Sequence, residues 1–373
     1  MEEKEKQIDQ IIAEVHEESE AAEPVVNQEE PKQKKSSKGK KALIIILAIL
    51  LALLLVVLGV LIYVDRMIGL INYVGDTVPT MNQQEMEDYL NANKETMDPD
   101  FTGDVVDPND VDFGNQNGES LEHENIINIM LVGQDRRPGE SRARSDAMIL
   151  CSFNKQTKEL TMTSFMRDMY VSIPNHSAHK MNSAFAWGGF SLLNETVEEN
   201  FGIKVDGNFA VDFNSFTEVI DIIGGVDIYL TSSEAGYLNR LFGTWCSEGM
   251  NHLGGYVALQ YARIRNIGNG DFGRTARQRN VMDAIIKKCM TLSLSELNDL
   301  MEAVLPQLST NMEKSTIMSY AAELLPMVAG IRINDSVRIP ADGTYSFAWV
   351  SDMSVLMPDF EANRQLIQEA IYE

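Results

Sequence analysis

The sequence predicts an α/β protein, a three-layer α-β-α sandwich around a central mixed sheet, preceded by one transmembrane helix. Three observations carry that prediction. An uncharged apolar run occupies 42–64. From Asn125 onward the short apolar runs IINIMLVG, DAMILCSF and ELTMTSFM read as successive strands. Helical patterns then alternate with two further strand-like runs, NFAVDF and VDIYL, and interleaved strands and helices pack as a sheet covered by helices.

Taken in order, residues 1–41 read as a cytoplasmic tail. Met1–Pro31 is rich in Glu, Gln and Lys with few large apolar side chains, a composition that cannot bury a core and stays disordered. Lys32, Lys34, Lys35, Lys38, Lys40 and Lys41 close the tail. At about 1.5 Å per residue, 42–64 reaches roughly 35 Å, enough to cross a hydrocarbon core of about 30 Å. A secretory signal is shorter and lies nearer the start. Flanking lysines remain in the cytoplasm, so the expected topology is a single-pass protein of the cell membrane with its domain extracellular.

Residues 65–124 are acidic and turn-rich, and read as an extracellular spacer with a short helix near Asn82–Met97. Asp98, Asp100 and Asp104 loosely resemble a calcium loop, but the glycine and distal Glu of such a loop are out of register. The globular domain is expected over 125–373. Its helical patterns run at about Phe190–Asn200 and Asn214–Ile223, the second closed by Gly224 and Gly225. A long helix follows Arg274 through VMDAIIKKCM, and the remainder reads as mostly helical with a strand at Ser336–Ile339.

Composition narrows the chemistry. With 31 Lys and Arg against 55 Asp and Glu the net charge is -24, which argues against nucleic acid as a partner. The three cysteines show neither C-x-x-C nor zinc spacing; Cys246 and Cys289 are open to pairing outside the membrane or to remaining free. No H-E-x-x-H or G-x-S-x-G pattern supports a zinc or serine hydrolase.

Against this acidic background, YARIRNIGNGDFGRTARQ concentrates Arg263, Arg265, Arg274 and Arg277 around a loop, Asn266–Gly273, made of glycines, asparagines and Asp271. Arg274, Arg277 and Gln278 are spaced to share a face near a helix N-terminus. Singly, each arginine is a solvated ion-pair partner. Together they repel, and forked guanidinium donors match phosphate oxygens in pairs, so the cluster asks for a polyanion. Two further groups fall at strand ends, where ligand crevices of α/β sheets open: Asp135 with Arg144-Ser145-Asp146, and Arg167-Asp168. Arg144, Arg167, Arg263, Arg265, Arg274 and Arg277 suit a pyrophosphate, while Asp135 and Asp146 suit a hard cation such as Mg²⁺. Such a set suits phosphoryl transfer, where positioning and charge neutralisation supply most of the catalysis.

The ordered motifs LVGQDRR, RSDAMIL, MRDMYVSIP, KMNSAFAWGG, GGVDIYL, HLGGYVALQYARIR and DFGRTARQR resemble the LytR-CpsA-Psr wall-polymer ligases over roughly Asn125–Cys289. The resemblance implies an enzyme that takes a glycopolymer from a polyprenyl-pyrophosphate carrier and attaches it to peptidoglycan, generally at the muramic-acid 6-hydroxyl, by a Mg²⁺-assisted phosphodiester transfer. It implies metal and pyrophosphate binding by Asp135 and Asp146, and a head-group site of Arg144, Arg167, Arg263, Arg265, Arg274, Arg277 and Gln278. Asp168 and Lys180 are implied to orient arginines or phosphate, and Asp271 to act as base or arginine support. It also implies an apolar tunnel for the prenyl chain, for which Met162, Met166, Met169 and Met181 are adaptable side chains, although core packing explains them equally well. Met166 stands where the family commonly has proline. Two rival readings keep the site but change its use: a lipid pyrophosphatase or phosphodiesterase with water as acceptor, and a non-catalytic envelope regulator or lipid-binding protein.

Overall fold

A computed structural model describes residues 59–75, 81–92, 94–114, 123–134, 145–268 and 270–373. The chain divides into two compact units, Met1–Val60 and Leu61–Glu373, and only 59–60 of the first are among the described residues. The expected span at 42–64 therefore lies outside them up to residue 58; residues 59–64 are helical. Among the described residues no helix is long and apolar enough to cross a membrane.

The second unit opens with β1 (Asn72–Tyr73), α1 (Gln83–Ala92) and β2 (Asp104–Val105). The central strands follow as β3 (Ile126–Gln134), β4 (Ser145–Asn154) and β5 (Glu159–Phe165), then β6 (Tyr170–Val171), β7 (His179–Lys180) and α2 (Met181–Phe201). Next come β8 (Gly207–Asp212), α3 (Phe213–Ile222), β9 (Val226–Leu230), α4 (Ser232–Phe242), β10 (Gly249–Leu253), α5 (Gly255–Ala262) and α6 (Asp271–Cys289). The chain finishes with α7 (Leu294–Val304), β11 (Ser309–Thr310), α8 (Lys314–Leu324), β12 (Arg332–Ile333), β13 (Val337–Ile339), β14 (Tyr345–Val350), β15 (Met353–Pro358) and α9 (Phe360–Ile371).

The main sheet is mixed, ordered β1-β11-β8-β3-β4-β5-β12, with β13 also on β5. β3 runs antiparallel to β4 and parallel to β8. Because successive strand side chains point to opposite faces, β3 and β4 serve two layers. Met130, Val132, Met148 and Leu150 enter a core closed by α2 and α9. Leu131, Gly133, Ala147 and Ile149 face the other way, toward α3, α5, α6 and α7. Those helices and the antiparallel β9–β10 pair share a second core around Ile220, Leu230, Tyr261 and Val281.

Strands β3, β4, β5, β8 and β9 fall where the apolar runs predict them. Helix α2 begins at Met181, well before the expected Phe190, because its first turns are buried all round and lack a polar stripe. It bends at Gly189, whose φ of 66° and ψ of -147° suit glycine alone. The C-terminal region departs from its expected helical character: β14 and β15 form a hairpin turned by Ser351 and Asp352 at positive φ, without the Asn-Gly or Asp-Gly signal.

The boundary expected near Asn125 is also displaced. Within the stretch read as a spacer, β2 pairs with β14, and Phe113 packs on Tyr170 and Phe360. Cys246 and Cys289 are free thiols beside the second core.

Candidate functional site

Three chain segments meet at one end of the sheet: the start of β4, the loop leaving β5 and the N-terminus of α6. Asp146, the second residue of β4, accepts a 2.7 Å hydrogen bond from Arg167 Nη1. Arg167 Nε donates to Asp168 Oδ2 at 3.3 Å, and Asp168 lies 3.5 Å from Lys180 Nζ. Lys180 also donates to Glu95 Oε1 at 2.6 Å, which draws a residue from the expected spacer into the network.

At the head of α6, Asp271 accepts from Arg274 Nη2 at 2.7 Å and lies 3.6 Å from Arg265 Nε. The two halves feel each other, since Asp271 also attracts Arg167. For Arg167, burial pulls the pKa down but Asp168, Asp146 and Asp271 together outweigh it and hold the guanidinium above its usual range.

Arg274 is the anomaly. Its side chain is 3% exposed, and Nε and Nη1 are buried with no hydrogen-bond partner among the described residues. Burial pulls its pKa down to about 10; Asp271 opposes that shift, while Arg167 and Arg265 add to it. Asp271 moves the opposite way, raised by burial despite Arg274, Arg167 and Arg265. Both ions of this pair are thus penalised, so their mutual attraction does not offset their desolvation. Orphaned guanidinium donors in a buried position are satisfied by an anion with several oxygens.

The other motif arginines divide. Arg277 is buried, with Nε donating to Glu234 Oε1 at 2.7 Å and Nη1 and Nη2 to the carbonyls of Ile264 and Ile267 at 3.1 and 3.2 Å. It holds the loop beneath the cluster, so the face expected to unite Arg274 and Arg277 is split. Arg263 is exposed, its Cζ 4.8 Å from the centre of the Phe213 ring. Asp135 and Arg144 lie outside the described residues.

An apolar cavity of about 260 Å³ lies between β3, β4, β8 and α3, α5, α6, α7. Leu131, Ile149, Phe209, Phe216, Leu259 and Met282 line it, and Arg263 and Gln278 contribute polar groups. Arg263 and Gln278 line the cavity, and Gln278 lies one helical turn after Arg274 on α6, so the cavity wall and Arg274 share a face of that helix. The methionines considered for a lipid groove lie elsewhere: Met166, Met169 and Met181 belong to the core on the opposite face, and Met162 is buried outside the cavity wall.

The donor set is compatible with a divalent cation. Asp146 provides a carboxylate, and Mg²⁺ takes one or two carboxylates plus water and phosphate oxygens. Among the described residues Arg167, Arg265, Arg274 and Lys180 pair with Asp146, Asp168, Asp271 and Glu95, and the exposed Arg263 stands outside these pairs.

The buried Arg274, with Arg167 and the more exposed Arg263 and Arg265, is chemically compatible with an anionic head group, and the apolar cavity with a hydrocarbon tail. The chain belongs to the LytR_cpsA_psr family, which matches residues 78–359. It is 29% identical over 257 residues to the regulatory protein MsrR of Staphylococcus aureus, covering 68% of this chain and 76% of that protein. It is also 29% identical over 238 residues to the polyisoprenyl-teichoic acid–peptidoglycan teichoic acid transferase TagU of Bacillus anthracis, covering 62% and 75%. A solved structure of TagT bound to LIIa-WTA superposes with a TM-score of 0.55 at 26% identity, over 69% of this chain and 98% of that one.

Glu95, Glu234 and Phe213 escaped the sequence reading. Only Glu234 left a local signal, as the last residue of a Thr231-x-x-Glu234 capping box that opens α4. Gly255 has a packing role: a Cβ there would collide with the Thr217 carbonyl, where α5 crosses α3.

Proposed function

We propose that the protein is a membrane-anchored phosphotransferase that moves a glycopolymer from a polyprenyl-pyrophosphate carrier to peptidoglycan through a phosphodiester bond. One observation carries the reading: the unsatisfied, buried Arg274 sits one helical turn from Gln278 in the wall of an apolar cavity. Such a juxtaposition fits a ligand that is pyrophosphate at one end and hydrocarbon at the other. Family membership and the name of the TagU relative support the same donor and acceptor classes. The apolar run at 42–64 would anchor the chain, leaving the domain on the outer side.

In this reading Arg274, Arg167 and Arg265 grip the pyrophosphate and Arg263 reaches it from the cavity rim. Asp168 and Lys180 hold Arg167 in place. Asp146, with Asp135, would hold Mg²⁺, which when bound supplies charge neutralisation at the phosphate oxygens. An acceptor hydroxyl attacks the phosphorus bonded to the glycopolymer. The P–O bond to the second phosphate breaks, polyprenyl phosphate leaves, and the hydroxyl proton passes to a carboxylate. Asp271, held above the usual carboxylate range by burial, is suited to accept that proton while supporting Arg274.

The test is incubation of the full chain in vesicles with lipid-linked glycopolymer and peptidoglycan. Linked polymer and free polyprenyl phosphate are expected, and Arg274→Ala should abolish both. If wild-type protein released only free phosphorylated polymer, the acceptor would be water and the ligase reading would fail.

A further inference from the structure

A second, unassigned cluster lies beside the phosphate site, on the face of α6 turned toward β13 and β14. Phe272 stacks on Tyr345 with ring centres 5.1 Å apart, and Phe347 meets Tyr345 edge-on at 5.7 Å. Tyr345 and Phe347 are two residues apart on β14 and share one face of that strand. Phe347 is 52% exposed.

Two arginines flank these rings. Arg338 lies over Phe272, its Cζ 4.5 Å from the ring centre, and it pairs with the exposed Asp342. Arg279, two turns along α6 from Phe272, donates through Nε to Ser336 Oγ at 2.8 Å. Its Nη1 is buried with no partner among the described residues. Burial, with Arg338 nearby, pulls the Arg279 pKa down to about 10. Two neighbouring guanidiniums share a single carboxylate partner, the exposed Asp342 on Arg338, which leaves a place for another anion.

The cluster is joined to the reacting groups through backbone. Arg338 pairs with Ser164 on β5, the strand that delivers Arg167. Phe347 pairs with Leu356 of β15, whose N–H donates to the Asp168 carbonyl at 2.9 Å. Phe272 follows Asp271 directly. The backbone of Phe347 is thus one strand away from the strand that touches Asp168.

We infer that Tyr345, Phe347, Arg279 and Arg338 form the acceptor subsite, with the aromatic faces carrying the apolar side of a sugar ring and the guanidiniums receiving a carboxylate attached to it. Peptidoglycan has both features, sugar rings in a chain and carboxylates on the attached peptides. Different arginines serve the two sites: Arg274 and Arg167 serve the pyrophosphate, whereas Arg338, over the Phe272 ring, and Arg279, two turns along α6, accept the weaker anion. This inference rests on the transferase reading above.

The test measures transfer by the full-length protein while acceptor and donor are varied separately. Phe347→Ala and Arg279→Gln are expected to raise the KM for peptidoglycan fragments about tenfold, with little change in kcat or in the donor KM. Fragments whose peptide carboxylates are amidated should lose affinity for the wild-type protein but not for Arg279→Gln. A raised donor KM, or an unchanged acceptor KM in both variants, would overturn the subsite. Wild-type protein that forms no linked product would instead overturn the transferase reading, so the two failures are distinguishable. Circular dichroism of each variant checks folding, and Phe347→Tyr, which keeps the ring, should restore the acceptor KM.

Discussion

Replacing Arg274 by methionine separates stability from ligand binding. Two terms oppose each other in the ligand-free chain. Losing the partner of a buried carboxylate costs about 3–5 kcal/mol. Removing two unsatisfied donors, Nε and Nη1, returns about 1–3 kcal/mol for each. The first cost is further limited because burial already raises the Asp271 pKa, so the carboxyl can take a proton when Arg274 is gone. The net change should lie within about 3 kcal/mol of zero, a shift of less than about ten degrees in Tm. Ligand binding behaves differently. At a hundredfold excess over its dissociation constant, a ligand stabilises the folded chain by about 2.7 kcal/mol. Wild-type protein should show that gain with a polyprenyl pyrophosphate, and Arg274→Met should lose most of it. Differential scanning calorimetry with and without the lipid reads both quantities. A variant that unfolds many degrees earlier yet keeps the full lipid-induced gain would show that Arg274 is structural, and would refute the reasoning.

Other predictions follow from the same geometry. Arg277→Met should destabilise the fold by about 3–5 kcal/mol, because Glu234 is left buried and two carbonyls lose donors; a Tm close to wild type would count against the structural role. Ala262→Phe, which fills part of the cavity, should weaken binding of a long prenyl pyrophosphate while leaving inorganic pyrophosphate binding intact; calorimetric titration with both ligands decides. Asp271 predicts a pH effect with opposite signs for stability and activity. Its raised folded-state pKa contributes stability below the unfolded value, and that contribution disappears as pH rises through the folded value. Transfer needs the ionised form, so it should fall as pH drops below the raised pKa, sooner than for an exposed aspartate. Asp271→Asn should lower kcat and remove that acid limb; an unchanged pH–rate profile would exclude Asp271 as the titrating group.

Much of the architecture was legible in the chain itself. The apolar stretches at the centres of β3 and β4 are read as strands because burial on both faces leaves them few polar residues, while β5 alternates apolar side chains with Thr and Ser. The arginine concentration at 263–277 also stood out, since nothing in packing calls for such charge in an acidic protein. The β14–β15 hairpin was missed because its turn uses Ser351 and Asp352 in place of a glycine signal. The all-round burial of the start of α2 likewise concealed its helical period.

Residue type and spacing determined that guanidiniums and carboxylates would gather at strand ends, and that a polyanion was the ligand to expect. Only the tertiary structure decided which arginine meets it. Arg274 and Arg277 lie three residues apart on one helix, yet a guanidinium at the end of a long side chain takes the partners its surroundings offer. For Arg277 those are Glu234 and two loop carbonyls, brought from α4 and the preceding loop. Among the described residues Arg274 meets Asp271 alone and keeps two buried donors unused. The same holds for the cavity, whose walls come from alternate residues of strands that pair across long sequence separations. Hydrophobic periodicity reports that a residue is buried, while the packing of whole layers determines whether it meets another side chain or a space.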